Sequence, residues 1–89
     1  MRPATAEKLR ANAATIHQLG HRYGLHSFAL SAEPGELVAT LDQGRSYFDV
    51  TGFETDLSSI LGAAVEVVPR GPGVDVEETE PLGNLRGAA

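Results

Sequence analysis

Two glycines constrain this chain more than any other feature. Gly24 and Gly62 each stand directly after a run whose apolar residues recur at helical spacing, and each is followed by a short apolar run rich in strand-forming residues. Glycine lacks the Cβ that clashes in the left-handed conformation, so it commonly closes a helix. In the first run Leu9, Ala13, Ile16, Gly20 and Tyr23 lie three or four residues apart, which predicts a helix from Ala6 to Tyr23 with Thr5 as its cap. In the second, Phe48, Val50, Phe53, Leu57, Ile60 and Leu61 fall mostly on one stripe. Ser46 with Asp49 three residues on is close to a capping box for that helix, and Gly52 weakens its middle by ~1 kcal/mol relative to alanine.

The remaining ordered segments read as strands. His26 to Ala32 alternates weakly, with Phe28 and Leu30 on one side. Glu33-Pro-Gly-Glu36 combines a proline of preset torsion with a glycine that accepts positive torsion, as a tight turn needs. Leu37 to Leu41 then completes a β-hairpin, and Ala64 to Val68 supplies a third strand that Pro69 stops. The predicted class is α/β (α+β): a small mixed sheet of three strands with two flanking helices, in the order α-β-β-α-β. Beyond Pro69 the chain turns rich in glycine, proline and acid, with Val74, Val76, Leu82 and Leu85 as isolated apolar residues. Residues 1–69 are therefore expected to form the folded core, and residues 70–89 a flexible acidic tail.

Composition narrows the function. A chain of 89 residues, 42% hydrophobic, hides only roughly 60% of its unfolded surface, so a partner chain is expected, and a homodimer is one form of it. Seven basic residues against twelve acidic ones leave a net charge of −5, which provides no general basic field for nucleic acid. The absence of cysteine excludes disulfides, thiolate metal sites and thiol nucleophiles. No apolar run approaches the ~18 residues of a membrane span, and Met1 to Lys8 has no apolar signal segment, so a cytoplasmic location is expected.

Several stretches together carry a family likeness. His21-Arg-Tyr-Gly-Leu25, Leu41-Asp-Gln-Gly-Arg-Ser46, Phe48 through Gly62, and Val65-Glu-Val-Val-Pro69 resemble the minimal nucleotidyltransferases, small DNA-polymerase-β-like proteins, many of them antitoxins paired with HEPN-domain toxins. The likeness covers roughly residues 16 to 69. It implies a truncated nucleotidyltransferase-like fold, a phosphate-positioning Gly-Ser turn, and an Asp-x-Asp pair that binds divalent metal with a third acid on a later strand. This sequence departs from that pattern at the site itself. The Gly-Ser segment and its loop have shrunk to Ser31-Ala-Glu-Pro-Gly-Glu36, and the Asp-x-Asp positions fall on Pro34 and Glu36. Glu66 stands at the third acid, so Glu36 and Glu66 form a vestigial acidic cluster, and no catalytic or metal-ligating set is assigned.

Each feature also has a plainer reading. Glu36 and Glu66 could hold one Mg²⁺ if their strands are neighbours, but two carboxylates leave most of an octahedral shell to water, and each suits a turn or exposed strand position. His17 and His21, four apart with His26 nearby, lie beside an apolar stripe and lack the glutamate of a metalloprotease pair. Gly44-Arg-Ser46 reads as a turn and cap in preference to an anion site. Glu77, Glu78 and Glu80 read as a solvated acidic run in preference to a dock for a basic partner.

The resemblance with its missing motifs favours a non-catalytic binding module of antitoxin type that masks a helical HEPN-type partner without a cofactor. Tyr47, Phe48, Phe53 and Leu57, on a helix that three short strands would not fully cover, are the expected partner-binding residues. The alternative is a residual nucleotidyltransferase that moves AMP from Mg²⁺-ATP to a partner hydroxyl through Glu33, Glu36 and Glu66.

Overall fold

The chain reverses at Pro34 and Gly35, and that hairpin is the frame on which the rest is built. The computed structural model describes residues 1–83. Gly35 takes φ of 76°, and the Glu36 N–H closes the turn onto the Glu33 carbonyl at 3.2 Å. The turn joins β1 (Leu25–Ser31) to β2 (Glu36–Leu41) in antiparallel register, from Leu25 opposite Leu41 to Leu30 opposite Leu37.

The expected first helix exists as two. Thr5 caps α1 (Ala6–Ala11) by accepting from the Lys8 N–H at 3.1 Å, and α2 runs from Ala13 to Tyr23. At Asn12 the backbone leaves helical geometry, and the Asn12 amide donates to the Lys8 carbonyl at 2.8 Å. Asparagine competes for backbone acceptors in this way, which makes it a weak interior helix residue. Gly24 closes α2 with φ of 74°, and Gly62 closes α3 (Tyr47–Leu61) with φ of 66°. Ser46 starts α3: its hydroxyl accepts from the Phe48 N–H at 3.2 Å, while the Asp49 carboxylate accepts from the Ser46 N–H at 2.9 Å. That is a complete capping box, with aspartate serving where glutamate is commoner.

Among the described residues the sheet has four strands, not three. β3 (Glu66–Pro69) lies parallel to β2, and β4 (Glu78–Pro81), from the segment expected to be a tail, lies antiparallel to β1. The strand order is β3-β2-β1-β4, and the element order is α-α-β-β-α-β-β. β4 was hidden because Glu78-Thr-Glu-Pro81 has no apolar alternation. It is held by its ladder, by two ion pairs and by Leu82, which is buried just after it. Residues 84–89, the end of the expected tail, lie outside the described residues.

All helices pack on one face of the sheet. Leu9, Ile16 and Leu19 from the first two helices meet Val50, Phe53, Leu57 and Leu61 of α3 and Leu30, Leu37 and Val67 of the strands in one cluster. Phe53 stacks on Phe28 with ring centroids 5.4 Å apart and meets Tyr23 edge-on at 6.3 Å. Close approach is secured at Gly20, where a Cβ would lie 2.6 Å from the Phe28 ring. Among the described residues no helix is long and apolar enough to cross a membrane.

Candidate functional site

At the turn end of the hairpin, three strands bring Ser31, Glu36 and Glu66 together. Glu36 and Glu66 are directly paired across β2 and β3, and the Glu66 N–H donates to the Gly35 carbonyl at 2.9 Å. Paired residues in neighbouring strands project from the same face of the sheet. The alternation of β2 sends Leu37 and Ala39 to the helices, so Glu36, Val38 and Thr40 project from the opposite face. Ser31 donates its hydroxyl to Glu36 Oε1 at 2.7 Å and accepts from the Glu33 N–H at 2.9 Å. Beside it, Leu9 and Leu30 line a hollow of about 210 Å³ with Glu33, Pro34 and Glu36.

The donor set falls short of a metal site. Mg²⁺ needs converging hard oxygens in near-octahedral geometry, and among the described residues no group of three or more histidine or carboxylate side chains gathers in one place. One oxygen of Glu36 is already engaged by Ser31. Pro34 offers no side-chain oxygen at the position where the resemblance puts the first aspartate. The turn itself is tightly filled, since a Cβ on Gly35 would lie 2.9 Å from the Ala64 carbonyl.

The four residues expected to meet a partner divide into two pairs. Tyr47 and Phe48 are 68% and 85% exposed at the start of α3. Phe53 and Leu57, expected on the same exposed stripe, are instead wholly buried, as are Val50 and, nearly so, Leu61. The correction has a simple cause: α1 and α2 join the sheet in covering that stripe, which three strands alone would have left partly open.

Several of the other polar residues are occupied within the fold. Arg45 directs its guanidinium to Asp49 Oδ1 at 3.1 Å, so the Gly44-Arg-Ser46 turn serves the helix start. The Asp49 carboxyl lies below the usual carboxylate range, chiefly because it accepts the Ser46 backbone N–H and also because Arg45 is near. His17 bonds the Gly83 carbonyl and meets the Phe28 ring edge-on. His26 bridges Ser27 Oγ and Asp42 Oδ1, each at 3.0 Å, beside a bulge where Ser27 takes φ of 58°.

The acidic run is partly accounted for by two arginines that sequence reasoning missed. Arg70 donates to Glu78 at 2.7 Å and 3.1 Å, and Arg10 donates to Glu80 at 2.9 Å and 3.1 Å. Those hydrogen bonds hold both carboxyls below their usual range. No local pattern could have found the Arg10–Glu80 pair, since 70 residues separate the two.

No family model matches the chain, and no curated protein matches it. Among solved structures, one of a protein provisionally described as a minimal nucleotidyltransferase superposes with a TM-score of 0.62. The two are 21% identical, and the match covers 76% of this chain and 83% of the other. Such a likeness carries the fold alone. The chain therefore has a mixed α+β, nucleotidyltransferase-like fold, with a four-stranded sheet covered by helices on one face.

Proposed function

We propose that this protein is a non-catalytic binding module of antitoxin type, which uses a nucleotidyltransferase-like scaffold to mask a helical HEPN-type partner. The observation that carries the reading is the tight Pro34-Gly35 turn with Glu36 and Glu66 paired beside it, where the resemblance implies a phosphate-binding Gly-Ser and an aspartate pair. Phosphoryl transfer depends on positioned phosphates and clustered charge, and this turn supplies neither. What the scaffold offers a partner is surface: Tyr47 and Phe48 project from a firmly capped helix start, and large exposed aromatic side chains are frequent anchors of protein interfaces. Masking by this surface needs no cofactor.

A residual transferase acting through Mg²⁺-ATP is the competing reading, favoured only by the direct pairing of Glu36 with Glu66. Calorimetric titration with ATP, with and without Mg²⁺, separates the two. The binding-module reading expects no heat of binding at millimolar nucleotide. Magnesium-dependent binding that disappears in Glu36→Gln or Glu66→Gln would overturn it. With a purified HEPN-type partner, Tyr47→Ala and Phe48→Ser are expected to weaken the complex, and an unchanged affinity would remove the aromatic pair from the contact.

A further inference from the structure

Ser27 stands where plain strand alternation would not put it. Between the His26–Thr40 and Ala29–Val38 pairs, β1 has one residue more than β2. Among the described residues Ser27 is also the one non-glycine with a positive φ, 58°. A bulge of this kind bends the strand and re-aims a side chain. Phe28 and Leu30 still reach the core, whereas Ser27 is exposed beside His26. A left-handed torsion is costly for a residue with a Cβ, and such strain is concentrated at functional sites.

Three side chains here form one continuous line of hydrogen bonds. Ser27 Oγ lies 3.0 Å from His26 Nδ1, and His26 Nε2 lies 3.0 Å from Asp42 Oδ1. An ionised carboxylate only accepts, so Nε2 carries the proton it donates, and in the neutral ring Nδ1 is then the acceptor for the Ser27 O–H. Asp42 is itself fixed: its N–H donates to the Gly24 carbonyl at 2.8 Å, and its carbonyl accepts the Arg45 N–H at 3.2 Å. A hydroxyl, a base within hydrogen-bond reach and a third group that orients the base are the parts of an activated nucleophile. The ring nitrogens serve in the opposite order in serine proteases, and either order works because each neutral tautomer has one donor and one acceptor nitrogen.

A small molecule has access to this line. The side chains of His26 and Asp42 are 54% and 55% exposed, and Ser27 borders a hollow of about 630 Å³ whose walls include Phe28, Ala29, Leu82 and Arg70. The first three offer an apolar wall to an acyl or aryl group. The Arg70 guanidinium, fixed by Thr40 and Glu78, places positive charge in the same hollow, which favours a developing oxyanion. Glu78 shares that charge and the site is open to water, so the chemistry it supports is slow and suited to esters with a good leaving group.

We propose that Ser27, His26 and Asp42 form a hydrolytic site for small uncharged carboxylic esters. Ser27 Oγ attacks the carbonyl carbon while its proton passes to His26 Nδ1, and Asp42 holds the imidazolium that forms. Collapse of the tetrahedral intermediate breaks the bond between that carbon and the alcohol oxygen. The departing oxygen takes the proton from Nδ1, and the acyl group stays on Ser27. Water then attacks the acyl carbon and gives a proton to Nδ1, and Ser27 Oγ leaves and recovers it. One ester and one water thus become one acid and one alcohol, with no other reactant. The proposal goes beyond the binding-module reading and does not rest on it, because it uses none of Glu36, Glu66, Tyr47 and Phe48 and concerns no nucleotide.

Hydrolysis of p-nitrophenyl acetate by the full chain tests it. Ser27→Gly removes the nucleophile while glycine accepts the positive φ, so this variant keeps the fold and reports the background from other surface groups. Ser27→Gly, His26→Gln and Asp42→Asn should each lower the rate by about tenfold or more, with an unchanged circular dichroism spectrum because all three side chains are exposed. Ser59→Ala, which removes an exposed serine of α3, should leave the rate as it was. A wild-type rate no higher than that of Ser27→Gly overturns the proposal, and so does full activity in His26→Gln or in Asp42→Asn.

Discussion

Arg70 leaves the end of β3 and reaches Glu78 on β4, three strands away, with Nε 2.7 Å from Oε2 and Nη2 3.1 Å from Oε1. On the way its Nη1 bonds Thr40 of β2 at 2.9 Å. The bridge runs over the face opposite the helices, where Ala29 and Val38 are 2% and 1% exposed although neither belongs to the helix-side cluster. Arg10 of α1 grips Glu80 from the helix side. β4 is thus held from both faces by arginines that come from distant parts of the chain.

Acid should release this strand before the rest of the sheet. The folded pKa values of Glu78 and Glu80 are depressed, chiefly by hydrogen bonds from Arg70 and Arg10. Their stabilising contribution is therefore present above the ordinary carboxylate range near ~4, and is lost as pH falls through the depressed folded values. Amide exchange at Leu82, whose N–H bonds the Phe28 carbonyl, should accelerate in that window while the β1–β2 ladder stays protected. Simultaneous loss of both would refute a separate release. Arg70→Met removes the partner that depresses Glu78, so exchange at Leu82 should already be faster at neutral pH and should respond less to acid.

Removing the start of α3 should cost a moderate amount. Ser46→Ala deletes the hydroxyl that accepts the Phe48 N–H, and loss of such a cap costs about 1 kcal/mol. Urea unfolding should show a lower midpoint with an unchanged slope. A shift close to zero would mean that Asp49 alone sustains the helix start.

Gly20 should resist substitution although it lies inside a helix. Alanine normally favours a helix over glycine by ~1 kcal/mol, yet a Cβ here would lie 2.6 Å from the Phe28 ring and 2.8 Å from the Leu25 carbonyl. Gly20→Ala is expected to destabilise by roughly 1–3 kcal/mol through forced displacement of a packed ring. A stabilised variant in thermal unfolding would contradict the packing described.

The two phenylalanines of α3 should behave oppositely. Phe53 is wholly buried against Phe28 and Tyr23, so Phe53→Ala should cost about 3–5 kcal/mol and leave little folded protein in so small a domain. Phe48→Ser should leave the unfolding midpoint of the monomer nearly unchanged, because that ring contributes almost nothing to the core. Comparable losses in both would place Phe48 in the core after all.

What the sequence alone determined was local. Gly24, Gly62, the Ser46 cap and the Pro34-Gly35 turn located the two main helical stops, the start of α3 and the hairpin, because each acts through the torsions and hydrogen bonds of its immediate neighbours. The pairing of Glu36 with Glu66 was half legible: alignment to a known pattern suggested both residues, and only the parallel register of β2 and β3 put them side by side. Tertiary structure decided the rest. The stripe on α3 divided into buried Phe53 and exposed Phe48 according to which elements happened to cover it, and periodicity cannot report that. The fourth strand was invisible because Glu78-Thr-Glu-Pro81 has almost no hydrophobic pattern of its own. It forms because β1 has an open edge and because Arg10 and Arg70 are brought within reach of its carboxylates only when the whole chain has folded.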